Sequence, residues 1–391
     1  MGQLNDAKGG AKGGIWQDRL FQSLLAVAMS AILIAFSVPS FMAAKSSEET
    51  IVKGPGVTGT AMLSDYCPAL KGTNGDTAIY FLDSGQPGAT VVVFGGVHSN
   101  EPAGALSAIL LVENAVVKQG RLIVIPHANS SGMRYTACRE GTPMKYTIKT
   151  PWGERSFIYG DRLTSPLDQY PDPDVYVHYP SGQLQSGFDV RNLDRAFPGR
   201  ADGLMTEKIA YGITKVVQDE KAAMVIDLHE ARPMNPIVNC MIAHENARRV
   251  ATMAMLDLEL FEGLKFNLEP SPKNMHGLSH RELGDHTQAL AVLMETSNPA
   301  MDWLRGPTTA DLIVDGYDPF YAEAAARKLL YVPYPAEGIP LTERVGRHLS
   351  GVLALLRSFT ELYPDTPVFA DGVPNHAEIK AAGIGAFLLR P

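Results

Sequence analysis

The chain has 391 residues, 45% of them hydrophobic and 19% charged, and a formal net charge of -8. That composition excludes disordered and fibrous classes and allows one full-sized core with or without an appendage. The acidic balance leaves no basic footprint for nucleic acid, there is no Gly-rich phosphate loop, and three cysteines supply neither a disulfide framework nor a Cys-rich metal motif.

The amino terminus stands apart from the rest. Lys8, Lys12 and Arg19 precede a stretch from Phe21 to Ala44 that carries no charge and ends in small residues. Such a pattern matches an export signal, and about 20 apolar residues are also enough to span a bilayer. Residues 1–44 therefore read as a signal peptide or an uncleaved membrane anchor. Either way the positive flank stays in the cytoplasm, which places the remainder in the periplasm or another extracytoplasmic space, tied to the inner membrane if residues 21–44 are retained. Residues 45–60 are charged and Gly-rich and read as a linker, and residues 61–391 read as one domain.

Within that domain the segments 77–82, 90–94, 121–126, 223–228, 236–243 and 289–295 are strand-like. Helical patterns lie between several of them, at 103–118, 206–219 and 246–261. Buried strands alternating with helices predict an α/β sandwich with a mostly parallel central sheet and its active groups past the strand ends. The block 139–186 is rich in Tyr, Pro, Asp and Gly with no clear period, and reads as a long excursion that walls a cleft. From 318 to 391 the chain is helical, at 319–330 and 341–363, before an irregular tail.

Three strand ends carry chemistry. Gly95-Gly96-Val97-His98-Ser99-Asn100-Glu101 follows the 90–94 run and offers an imidazole and a carboxylate three positions apart, where both can reach one ion. Alone, His-x-x-Glu is common by chance and is equally a turn with a solvated acid. The run from Ala223 ends in Asp227-Leu228-His229, and His98, Glu101 and His229 complete the three protein ligands of an open catalytic zinc site. The run from Ala289 ends in Glu295, a carboxylate placed to take a proton from a metal-activated water.

Between the first and second of these lies Asn192-Leu193-Asp194-Arg195-Ala196-Phe197-Pro198-Gly199. In that order the four motifs resemble the zinc carboxypeptidase superfamily, and within it the succinylglutamate desuccinylase and aspartoacylase group, over residues 85–300. The resemblance implies an α/β/α sandwich preceded here by one hydrophobic helix. It also implies one Zn2+ held by His98, Glu101 and His229, Glu295 as general base and acid, and a substrate loop of Asn192, Asp194 and Arg195 whose guanidinium pairs with a substrate carboxylate. Asp194 departs from the group's usual Asn, and its charge either repels a substrate anion or clamps Arg195.

Classical carboxypeptidases carry a Tyr roughly two dozen residues before the catalytic Glu, whereas no Tyr lies between Tyr211 and Tyr317. Candidates for a replacement donor are His276, His280 and His286, which otherwise read as histidines of a polar loop over 274–286, with no second metal expected. His127 and His178 read as structural or solvated, and His244 with Glu245 as an unassigned strand end. Cys67 and Cys138 could pair in an oxidising compartment or stay free, and Cys240 reads as a small core residue.

The leading expectation is a zinc hydrolase that cleaves an amide next to a carboxylate in small N-acyl amino acids or envelope peptides. The export signal favours peptides and the missing Tyr favours the acylases. The alternative is a membrane-tethered, zinc-containing binding protein without turnover, against which the presence of Glu295 argues.

Overall fold

A computed structural model describes residues 19–46, 49–136, 142–301 and 304–391. They fall into two compact units, Met1–Glu48 and Glu49–Pro391. In the first, helix α1 (Arg19–Ser46) contains the stretch Arg19–Pro39, whose mean hydropathy of 2.1 and 21-residue length suffice to cross a membrane. Lys8, Lys12 and Cys138 lie outside the described residues, as do the first three residues of the 139–186 excursion.

The second unit is built on an eight-stranded sheet. Its strands are β1 (Gly59–Met62), β2 (Ala78–Asp83), β3 (Thr90–Gly95), β4 (Arg121–Ile125), β5 (Met224–Ala231), β6 (Cys240–Ala243), β7 (Asn267–Pro270) and β8 (Leu290–Ser297), in the spatial order β1-β2-β4-β3-β5-β8-β6-β7. The central four, β4, β3, β5 and β8, are mutually parallel, while β2 meets β4, and β6 meets β8, antiparallel. The central strands are Val-, Ile- and Leu-rich because both faces are covered.

Alternate residues feed two cores. Val91, Val93, Ile226, Leu228, Val292 and Met294 pack on one face with α2 (Pro102–Asn114), α4 (Arg248–Asp257) and α6 (Leu341–Leu362). Val92, Phe94, Val225 and Ala291 pack on the other with Ile209, Ile213 and Val216 of α3 (Met205–Asp219) and Leu283 of α5 (Ser279–His286). The result is the α/β/α sandwich expected from the alternation of strands and helices.

Several elements differ from their expected bounds. The helix predicted at 103–118 stops at Asn114, because Ala115 turns extended and the β-branched pair Val116–Val117 enters a short strand paired with Phe369–Asp371. The tail expected to be irregular thus supplies a strand and, at His376–Ala382, a capped helix. The 236–243 run forms a strand only from Cys240, after Asn239 takes a left-handed φ of 47°. The excursion contains two hairpins, Lys145–Thr150 with Gly153–Ile158 and Val175–Val177 with Leu184–Ser186. The polar stretch read as a loop at 274–286 becomes helix α5 from Ser279 onward.

Residues 49–58 are laid against this unit by hydrogen bonds. Glu49 accepts from the Ile158 amide at 2.8 Å and meets His127 at 3.2 Å. Val52 donates to Glu113, which forms a buried pair with Arg155 at 2.7 Å. Gly54 is required here, since a Cβ would stand 2.1 Å from the Glu113 carbonyl oxygen.

Candidate metal centre and active site

The parallel register places the site. Position 229 on β5 is paired with 295 on β8, so His229 and Glu295 leave adjacent strands at the same height, and Asp227 is opposite Phe94 near the end of β3. Past β3 the chain turns through Gly96, with φ of 69°, because its Cβ would lie 2.9 Å from the Pro126 carbonyl oxygen. That turn delivers His98, and Glu101 caps the start of α2, whose first residue is Pro102.

His98, Glu101 and His229 are each about 2% exposed, and their ligand atoms lie within 4.8 Å of one another. His98 Nδ1 is 2.8 Å from Glu101 Oε1, and His229 Nδ1 is 3.0 Å from Glu101 Oε2. The outer nitrogens are held in place. Nε2 of His229 donates to Asp227 Oδ2 at 2.9 Å, and Nε2 of His98 meets Asn192 Oδ1 at 2.9 Å. Asn192 Oδ1 also accepts the Asp194 amide at 3.2 Å, which fixes it as an acceptor and His98 Nε2 as the donor.

Protonation follows from these contacts. Burial lowers the His98 imidazole, and Arg162 adds to this. With its proton on Nε2, neutral His98 points the Nδ1 lone pair at a carboxylate oxygen. Burial alone would also lower His229, but Asp227 and Glu101 push it well above the ordinary histidine range. Burial would raise Glu101, yet the two imidazoles hold it well below the usual carboxylate range. Two imidazole Nδ1 atoms and a carboxylate thus converge, with the proton on His229 and the Arg162 guanidinium at 3.2 Å from Glu101 Oε1 as the positive charges beside them. A divalent ion fits that donor set, with Asp227 and Asn192 as the outer groups that orient the imidazoles.

The sequence-predicted residues take these places. Asn192 and Asp194 are buried, Asn192 behind His98 and Asp194 accepting the Ser279 amide at 2.9 Å. Asp194 also clamps Arg195, whose Nη1 meets its carbonyl at 2.6 Å and Oδ2 at 3.3 Å. Glu295 has its Oε2 buried without a hydrogen-bond partner, and burial raises its carboxyl well above the usual range despite the opposing charge of His229.

Of the proposed replacement donors, His280 is buried against Ser271 at 2.8 Å, and burial lowers it to about 4. His276 and His286 instead face Glu282. His127 meets Glu49, His178 meets Ser181 and Phe197, and His244 meets Asp285.

Sequence reasoning missed three members of the site. Asp227 was legible, because it is two residues from His229 and a strand repeats its faces every two residues. Ser279 donates to Asp227 Oδ2 at 2.5 Å from a helix start that was read as a loop. Arg162 reaches Glu101 Oε1 at 3.2 Å while 39% exposed, from an excursion without periodicity, and no sequence signal marks it.

Fold and site together define an α/β/α sandwich with a buried two-histidine, one-carboxylate centre at the ends of its parallel strands. No protein-family model matches the sequence, and no curated protein matches it. Among solved structures it is similar to the product-bound ectoine utilization protein EutE (DoeB) from Ruegeria pomeroyi, at 20% identity over 56% of this chain and 53% of that one, TM-score 0.35. It is also similar to a succinylglutamate desuccinylase/aspartoacylase from Rhodobacter sphaeroides, at 18% identity, 56% and 51% coverage and TM-score 0.33. A third is the apo cell shape determinant protein Csd4 from Helicobacter pylori, at 13% identity, 78% and 58% coverage and TM-score 0.42. The chain thus spans little more than half the length of these structures. At such scores the likeness adds nothing to what the site's own geometry says.

Proposed function

We propose that this chain is a zinc-dependent hydrolase that cleaves an amide bond beside a carboxylate. The observation that best supports this reading is the convergence of His98 Nδ1, His229 Nδ1 and the Glu101 carboxylate, with both outer imidazole nitrogens occupied by Asn192 and Asp227. Zinc is the ion such a His2Glu set suits, and when bound it supplies Lewis acidity to a water and to the scissile carbonyl.

The chain's own residues do the rest. Glu295 Oε2, buried and without a partner, takes a proton from the attacking water and returns it to the leaving nitrogen. Arg162, with Nη1 3.2 Å from Glu101 Oε1, offers a guanidinium to charge that would develop on the carbonyl oxygen. Arg195 binds the substrate carboxylate, oriented by Asp194 through Nη1, with the rest of its fork left for the anion. The long apolar helix at the amino terminus favours envelope peptides over small N-acyl amino acids as substrates.

The test is hydrolysis of both substrate classes by native, metal-stripped and zinc-restored protein, together with Glu295→Gln. Stripping should abolish turnover and zinc restore it, while Glu295→Gln keeps zinc and slows the chemical step by roughly 10² to 10⁴. Full turnover without metal, or native turnover in Glu295→Gln, overturns the reading.

A further inference from the structure

A second group of metal-binding side chains lies outside this centre. His178, His276 and Glu282 each offer a ligand atom, all within 4.8 Å of one another. They come from two stretches far apart in sequence: His178 from the start of the loop after Val175–Val177, and His276 and Glu282, six residues apart, from the turn before α5 and from α5 itself. Glu282 is 1% exposed, and His276 Nδ1 lies 2.8 Å from its Oε1. A fourth group, His286, lies one helical turn further along α5 with Nε2 3.2 Å from Glu282 Oε2.

The charge balance points to a cation. Besides these imidazoles, Glu282 accepts only the Gly277 amide, at 3.0 Å, and no Lys or Arg pairs with it among the described residues. A buried carboxylate surrounded by imidazoles is compensated either by their protons or by a metal ion. The His178 and His276 rings are stacked, with centroids 5.9 Å and planes 22° apart. His178 Nε2 donates to the Phe197 carbonyl at 2.6 Å, and its Nδ1 meets Ser181 Oγ at 2.7 Å. Coordination by His178 therefore displaces one of these two hydrogen bonds, while His276 at 33% exposure gives the ion a path from solvent.

We propose that His178, His276 and Glu282, with His286 as a further donor, form a second divalent-metal site of the zinc class, separate from the His98, Glu101 and His229 centre. Its role is structural. An ion there joins the 175–186 hairpin to α5 beside the substrate loop, since Phe197 donates its amide to the Gly277 carbonyl and Gly277 packs on Arg195 too closely for a Cβ. It would brace the segment that carries Asn192, Asp194 and Arg195 against the helix that carries Ser279.

The experiment is zinc stoichiometry of the full chain in mild detergent, by elemental analysis after stripping and zinc titration, with Co2+ absorption as a second readout of imidazole ligation. The native chain should take two ions. The pair His276→Ala with Glu282→Gln should take one and keep the Co2+ signature of the first centre, whereas His98→Ala with His229→Ala should keep one at the second. A native chain that takes a single ion, lost in the His98 and His229 variant, overturns the proposal and leaves the proposed hydrolase untouched. So does unchanged stoichiometry in the His276 and Glu282 variant. If that variant does not fold, the His98 and His229 variant decides alone: zero ions bound to a folded chain is the refuting result.

Discussion

Replacing Asp227 with Asn separates metal binding from folding, and its two effects have opposite signs. Asp227 Oδ2 accepts from His229 Nε2 at 2.9 Å and from Ser279 Oγ at 2.5 Å, while Oδ1 is buried without a partner. An Asn can keep Oδ1 as the acceptor for His229, but the charge assistance is lost, turning a contact of about 1.5–3 kcal/mol into one of about 1 kcal/mol. The difference of about 0.5–2 kcal/mol corresponds to roughly 2- to 30-fold weaker zinc binding, the upper part of which overlaps the range of about 10- to 100-fold typical of outer groups. Without metal the sign reverses. Burial raises the Asp227 carboxyl, which means its charge is unwelcome there apart from what His229 and Ser279 offset, so the amide should leave the metal-free melting temperature unchanged or higher. Competition with a calibrated zinc chelator gives the first quantity and differential scanning fluorimetry of stripped protein gives the second. Native zinc affinity in Asp227→Asn would show that Asp227 does not orient His229, and a large loss of metal-free stability would show that its role is structural.

Asp194→Asn should remove the charge at Oδ2, 3.3 Å from Arg195 Nη1, a partly exposed contact worth about 0–1 kcal/mol, while the carbonyl contact at 2.6 Å stays, and so lower KM for carboxylate-bearing substrates by up to about fivefold at constant zinc content; a kinetic comparison in which KM rises refutes the clamp. Gly104→Ala should destabilise the fold despite alanine's helix advantage of about 1 kcal/mol, because the new Cβ would lie 2.1 Å from the Leu228 carbonyl oxygen next to His229. A thermal melt equal to native would show that α2 and β5 can separate there. Burial alone would raise the Glu343 carboxyl, but His376 and Arg347 hold it at about 2. A depressed acid contributes stability that is present above the unfolded pKa of roughly 4.3 and is lost as pH falls through the folded value. Glu343→Gln should therefore be less stable than native by about 1–2 kcal/mol at pH 7, after allowance for partial exposure, with urea midpoints converging near pH 2; a gap that persists at pH 2 refutes the assignment.

The parts legible in the sequence are those where burial imposes a period. β3, β5 and β8 are mostly apolar runs, with His98 three residues past the first and His229 and Glu295 near the ends of the other two, so strand type, parallel packing and the height of these residues followed from local pattern. Arg162 did not, because it reaches Glu101 from 61 residues away in a polar excursion, and neither did the approach of His178 to His276 and Glu282, which lie about a hundred residues further on. Helix α5 was hidden for a related reason. Its sequence, Ser-His-Arg-Glu-Leu-Gly-Asp-His, has one apolar residue, Leu283, and its burial comes from ionic contacts such as Arg281 with Glu245 and Asp285. Val116 and Val117 were absorbed into a helix because their strand partner lies some 250 residues later, beyond any local window.

The buried pair of Glu230 and Arg344 has a consequence in time. Glu230 follows His229 on β5, donates no proton to its neighbours, and relies for its opposite charge on Arg344 of α6 at 2.8 Å, a guanidinium that is itself fully buried and also held by the Ile313 carbonyl. The strand that carries His229, a proposed metal ligand, therefore has an uncompensated acid beneath it until a residue more than a hundred positions downstream arrives. A chain cut or stalled before residue 344 would own every ligand of the centre and still lack the counter-charge that lets β5 settle. The settling of β5 is thereby tied to the arrival of α6.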